Sequence, residues 1–193
     1  MALKAGNALF IHIPKTGGSW VRKYFEQTGM ETKEIGANHT TSAELGDVEE
    51  LTFCFVRHPL TWYQSYWKYK QTMKTRTNPP IDQFVDLPFA EFVTKVLAEH
   101  GDYLYWFYSM FIKNAKYIGK QENLRADFET VLRLAELPID RTLLGGPDEN
   151  KSIRPPASAK YSLPLAEKVM RHEIRLARQF DYKYIPLEVL AAF

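Results

Sequence analysis

Short apolar runs alternate along this chain with stretches whose apolar residues recur every three to four positions, the order expected of strands joined by crossover helices. The runs predict strands over residues 8–13, 51–56 and 115–118, with a further short one at 33–35. The helical patterns predict helices over 19–28, closed by Gly29, and over 59–74, 89–99, 102–111, 122–136 and 163–180. Leu124, Phe128, Val131 and Ala135 share one face of the 122–136 helix, which Pro138 stops. Leu165, Val169, His172, Leu176 and Phe180 do the same in the last. Pro59 suits the first turn of its helix, and Thr61 with Gln64 offers a second start; Thr41 and Glu44 have capping-box spacing, so another helix begins just after His39. The pattern as a whole predicts an α/β fold, a three-layer sandwich with a central, mostly parallel sheet flanked by helices.

With 193 residues, 45% of them hydrophobic, the chain is long enough for one well-buried core, and a single domain is the expectation. The balance of 25 basic against 23 acidic side chains argues against a general nucleic-acid or membrane-surface binder, so any anion site must be local. Cys54, the one cysteine, lies in the apolar run 51–56; no internal disulfide is possible, which fits a reducing compartment. No run approaches the ~20 apolar residues that span a bilayer, and the first ten residues lack a signal-peptide layout, so the expected location is cytoplasmic. Residues 75–80 and 144–156 read as turn-rich loops.

The first candidate for chemistry is PKTGGSW, residues 14–20, between the first strand and its helix. A strand that turns through Gly17 and Gly18 into a helix presents backbone N–H groups and the positive end of the helix dipole to whatever lies above. Lys15 adds a full charge and Ser19 a hydroxyl, which suits a phosphate better than a carboxylate. The usual nucleoside-triphosphate loop, G-x-x-x-x-G-K-S/T, places its lysine after the glycines, whereas here the lysine precedes them. Nor do the later strands run into the aspartate that would hold magnesium: 51–56 leads to Arg57, and 115–118 to Gly119 and Lys120. A metal-dependent kinase or hydrolase is therefore disfavoured, and no histidine cluster has metal-ligand spacing.

The second candidate is FCFVRHPLTWYQS, residues 53–65, which puts Arg57 at the end of a buried strand and Ser65 eight positions later in the next helix. A guanidinium grips a phosphate with two bonds and a helical hydroxyl adds a third; taken alone, Arg57 also fits an ion pair and Ser65 a solvated helix position. Together the two segments resemble the sulfotransferase family that uses 3′-phosphoadenosine 5′-phosphosulfate, PAPS, as donor. PKTGGSW is similar to the P-K-S-G-T-T-W loop of the cytosolic branch and the H-I-P-K-T-G-G-T loop of the carbohydrate branch. The resemblance implies a P-loop NTPase-like sandwich, with Lys15, Thr16, Gly17, Gly18 and Ser19 around the 5′-phosphosulfate and Arg57 and Ser65 on the 3′-phosphate. It also implies that Trp20 stacks on adenine, although a core position on the helix suits that ring as well. The segment 150–162 resembles in its order the loop that closes over the nucleotide, with Lys151, Arg154 and Lys160 as candidates for the phosphates or as a solvated basic loop.

Such a reaction needs no metal, since a sulfuryl group carries less charge than a phosphoryl group and cations can meet the charge on the leaving oxygen. Lys15 is the candidate for that role, assisted by Ser19 and the loop amides. His39 is the candidate base for the acceptor hydroxyl, placed between the two phosphate motifs as the family's catalytic His or Glu is; bonding to local backbone is its other reading. His12 reads as a hydrogen-bonded core histidine and His58 as shaping the turn before Pro59. The acceptor is a carbohydrate or a small alcohol or phenol. Aromatic side chains crowd residues 62–69 and 103–108, at spacings that serve a core or a stacking surface. An atypical kinase and a binding module without chemistry are the alternatives.

Overall fold

The chain opens with a hairpin. In the computed structural model, which describes residues 2–36, 39–73, 76–146 and 159–190, β1 (Ala2–Ala5) and β2 (Ala8–Ile11) pair antiparallel across a turn at Gly6 and Asn7. The hydrophobic pattern predicts no strand at β1, because Ala-Leu-Lys-Ala neither alternates cleanly nor favours extended backbone. Three further strands follow, β3 (Thr32–Ile35), β4 (Leu51–Val56) and β5 (Tyr117–Lys120), in the sheet order β3-β1-β2-β4-β5. β2 pairs with β4 and β4 with β5 in parallel, while β1 is antiparallel to both its neighbours. The fold is thus α/β as expected, but its sheet is mixed: the hairpin inserts a reversed strand between two that run the same way.

Among the described residues the helical segments of the first half are α1 (Gly18–Thr28), α2 (Ser42–Leu45), α3 (Pro59–Thr72), α4 (Pro79–Asp82) and α5 (Phe89–His100). They continue as α6 (Tyr103–Ile112), α7 (Leu124–Leu134), α8 (Arg141–Gly145), α9 (Leu163–His172), α10 (Ile174–Gln179) and α11 (Leu187–Leu190). Two compact units divide the chain, Met1–Arg57 with Phe107–Asn150, and His58–Trp106 with Lys151–Phe193.

The first unit holds the whole sheet. Every residue of β2 is buried, as are five of the six in β4, which is why both read as unbroken apolar runs. β3 is an edge strand and carries the exposed charges Lys33 and Glu34, a composition that discourages pairing with another chain. One core joins Phe10, Phe53 and Phe55 of the sheet to Val21, Tyr24 and Phe25 of α1 and Phe128 and Val131 of α7. Phe128 is its centre, with the rings of Tyr24, Phe25 and Phe53 at 5.0, 5.5 and 6.1 Å; truncating such a residue to alanine costs ~3–5 kcal/mol. Cys54 is fully buried in β4, where burial pushes its thiol up, as a core cysteine should be.

The second unit is helical and aromatic. Trp62, Tyr63, Tyr66 and Trp67 of α3 are buried, and Trp62 stacks on Tyr66 at 4.8 Å, so most of the rings crowding this segment are core. His58 caps α3, its Nδ1 accepting from Leu60 N at 3.2 Å, and Nε2 then donates to Lys183 O at 2.7 Å. That agrees with the turn-shaping role read from its place before Pro59. The single helix expected over 163–180 is interrupted at Glu173, whose carboxylate is buried. It accepts from Leu104 N at 2.9 Å and Tyr105 N at 3.1 Å in the first turn of α6, and from Tyr63 Oη at 2.8 Å.

Candidate functional site

The loop after β2 is held in a costly conformation. Thr16 is buried, and its Oγ1 donates to Ile13 O at 2.8 Å, closing the turn. Lys15 has φ +67°, a left-handed backbone that costs a non-glycine residue ~1 kcal/mol or more and persists only where its surroundings impose it. Gly17, with φ +95°, is the N-cap of α1, and a Cβ there would meet Leu124 Cδ2 at 2.8 Å. No side chain caps α1 and no acidic residue stands in its first turn. Among the described residues, the N–H groups of Gly17, Gly18 and Ser19 have no hydrogen-bond partner, so the positive end of the helix is left for an anion.

Arg57 arrives at the same place from β4. The Tyr108 hydroxyl accepts from Arg57 N at 3.1 Å and donates to Arg57 O at 3.2 Å, which fixes the backbone at the strand end. The guanidinium then donates from Nη1 to Lys15 O at 3.3 Å. β2 and β4 are neighbours, yet the strand following β2 lies toward one edge of the sheet and the strand following β4 at the other. In open α/β sheets the crevice at such a reversal, outside the carboxyl ends of the strands, is where ligands bind. Burial, and after it the Arg57 charge, bring the Lys15 ammonium down from 10.5 to about 8. Both effects oppose placing a cation here, and a bound anion would relieve the second. Lys120 ends β5 in register with Val56, and its N–H donates to Asp127 Oδ2 at 2.6 Å.

Two histidines adjoin the loop. His39 has φ +60° and is exposed, and its ring meets that of His12 edge-on at 5.9 Å. His12 is half-buried, stacked on Phe10 at 5.6 Å and 22°, and so close to α1 that a Cβ on Gly18 would lie 2.1 Å from its Cδ2. Among the described residues neither of its ring nitrogens has a hydrogen-bond partner, which corrects the reading of His12 as a hydrogen-bonded core residue. Burial first, then the charges of His39, Arg22 and Lys15, lower its pKa from 6.5 to about 3. Its position immediately before Ile13, Pro14 and Lys15 was the available signal; strand alternation pointed to the core instead.

The remaining predicted residues divide. Ser19 is exposed in the first turn of α1, with no partner among the described residues for its hydroxyl. Trp20 is partly buried against the core, 5.5 Å from Phe128 and 5.9 Å from Tyr24, with the Arg125 guanidinium 5.9 Å from its ring centre. Ser65 belongs to the second unit, where it is buried on α3 and, among the described residues, lacks a hydrogen-bond partner. Lys160 is exposed, and Lys151 and Arg154 lie outside the described residues. A cleft of about 810 Å³ also opens in the first unit, but it lies on β1 and β3 between Leu9, Met30, Leu45 and Leu137, mostly apolar and away from the two cations. The converging donors, not this cleft, mark the candidate site. Among the described residues no helix is long and apolar enough to cross a membrane.

No protein-family model, curated protein or solved structure matches this chain.

Proposed function

We propose that this protein is a PAPS-dependent sulfotransferase whose first unit is built as a P-loop NTPase-like sandwich and transfers a sulfuryl group to the hydroxyl of a carbohydrate or a small alcohol or phenol. The observation that carries the reading is the approach of the Arg57 guanidinium to the Lys15 carbonyl, 3.3 Å, across the carboxyl ends of two neighbouring parallel strands. Two residues 42 positions apart thereby bring cations to one helix N-terminus that lacks a side-chain cap.

In this reading the N–H groups of Gly17, Gly18 and Ser19 hold the 5′ end of the donor, and Thr16 braces the loop from within. The sequence resemblance assigns Arg57 to the 3′-phosphate, while its guanidinium stands against the carbonyl of the loop that holds the 5′ end. His39 removes the proton of the acceptor hydroxyl as that oxygen bonds to sulfur, and Lys15 meets the negative charge left on the oxygen from which sulfur departs. With a pKa near 8, Lys15 is still largely an ammonium at pH 7. Ser65 on the 3′-phosphate, Trp20 on adenine, and Lys151 and Arg154 over the nucleotide are assigned by the sequence resemblance.

The first test compares thermal stabilisation by 3′,5′-bisphosphoadenosine with that by ATP and magnesium. A ligand at about 100 times its dissociation constant adds ~2.7 kcal/mol to the stability of the form that binds it. The bisphosphate is expected to stabilise more; preference for ATP overturns the reading in favour of a kinase. Sulfate transfer from labelled PAPS across an acceptor panel then separates an enzyme from a module that only binds. Turnover lost with binding intact in His39→Ala supports the base, whereas unchanged turnover removes His39 from the chemistry.

A further inference from the structure

We infer, resting on the sulfotransferase reading, that His12 is a specificity residue of the same loop: its fixed imidazole meets the terminal group of the donor beside Gly18 and selects a sulfuryl over a phosphoryl group. The ring cannot turn freely, because it stacks on Phe10 on one side and lies across the first residue of α1 on another. A Cβ on Gly18 would fall 2.1 Å from Cδ2 and 2.2 Å from Nε2, so it is the Nε2 edge that faces the helix start. The N–H of Gly18 is one of the three donors without a partner there among the described residues. With no protein partner among those residues and no place among the fully buried polar atoms, that ring nitrogen is open to water or a ligand.

The charge of that ring is what discriminates. The charged groups acting on it are His39 from the turn after β3, Arg22 from α1, the amino terminus and Lys15 from the loop, while β2 offers it the apolar Phe10. With burial added, they hold His12 neutral well below physiological pH. A neutral imidazole supplies a hydrogen bond without supplying charge. A terminal phosphoryl group carries up to about one negative charge more than a sulfuryl group near pH 7, so a cation at this position would favour the phosphoryl form. Specificity here comes from the omission of a charge, as much as from the contact itself.

The test measures dissociation constants of the intact protein at pH 7 for PAPS and for 3′-phosphoadenosine 5′-diphosphate, its analogue with a phosphoryl in place of the sulfuryl group. Wild-type protein and His12→Gln, which keeps a neutral polar group, are expected to show the same ratio of the two within about threefold, and His12→Lys to shift it about tenfold or more toward the diphosphate. If both compounds bind and His12→Lys leaves the ratio unchanged, the inference fails and the sulfotransferase reading stands. If neither compound binds wild-type protein, both fail. Should the lysine variant not fold, the side-chain 15N resonances of wild-type His12 decide the matter. Adding PAPS is expected to shift one ring nitrogen while the ring stays neutral from pH 5 to 8; resonances that do not move, or a ring that protonates, overturn the proposal.

Discussion

Lys70 in the second unit and Lys15 in the first are both cations largely withdrawn from water, and the charged neighbours described for them differ in sign. Lys70 Nζ is 2.9 Å from Asp82 Oδ2, and that carboxylate also accepts from Tyr66 Oη at 2.7 Å and Asn78 N at 2.8 Å. The charge is answered inside the fold, with nothing left for a ligand to do. Lys15 is brought instead against Arg57, cation beside cation, over a helix start that no side chain caps. A buried charge that its neighbours neutralise is part of the architecture; like charges gathered at a strained turn point to an anion from outside.

That contrast can be broken by substitution. Lys70→Ala leaves Asp82 ionised and buried without its counter-charge, so a loss of ~3–5 kcal/mol in stability is expected by denaturant unfolding, with nucleotide affinity unchanged where the protein remains folded. A large loss of affinity would mean that the second network also serves binding. Lys15→Ala is expected to do the reverse: turnover falls ~100–1,000-fold, the scale on which removing one transition-state donor acts, while the unfolding midpoint moves little. Comparable turnover in the variant would end the catalytic role proposed for Lys15.

Glu173 sharpens the comparison, being an acid buried among neutral donors. Burial raises its pKa from 4.5 to about 7, against the opposing bonds from Leu104, Tyr63 and Tyr105. Between those values the folded state keeps a proton that the unfolded chain has lost, so its contribution to stability is full below about pH 4.5 and declines until about pH 7. Relative to Glu173→Gln, which keeps the opposing titration of His12, wild-type protein is expected to lose ~2–3 kcal/mol of stability across that window, as followed by urea unfolding of both at stepped pH. The smallest effect belongs to Tyr108→Phe. Loss of its two bonds to the Arg57 backbone is expected to cost ~1 kcal/mol and to weaken bisphosphate binding severalfold by calorimetry; unaltered affinity would show that the strand end holds Arg57 unaided.

Local features were legible without coordinates. Thr41 and Glu44 form the capping interaction that their spacing announces, Thr41 N donating to Glu44 Oε2 at 2.6 Å. Phe128, Val131 and Ala135 are buried together as their period requires, and α3 ends within two residues of its expected stop. β5 lies two residues later than the 115–118 run, because Gly119 and Lys120 pair with Phe55 and Val56. The partner strand decides that register, and a four-residue window cannot contain it. The bonds of the Glu173 carboxylate are equally long-range, reaching Tyr63 and the first turn of α6, 69 residues earlier at Leu104.

The sequence by itself determined the parts: a glycine turn with a preceding lysine, an arginine at the end of an apolar strand, and apolar periods that choose strand or helix over a few residues. Tertiary structure alone decided which parts meet. It set β2 beside β4, carried Arg57 to Lys15, turned His12 onto Gly18, and left Lys70 enclosed with Asp82. Periodicity and capping are short-range because backbone geometry repeats within one turn or one pleat. The meeting of distant side chains depends on strand order and on burial, which are properties of the whole packed chain.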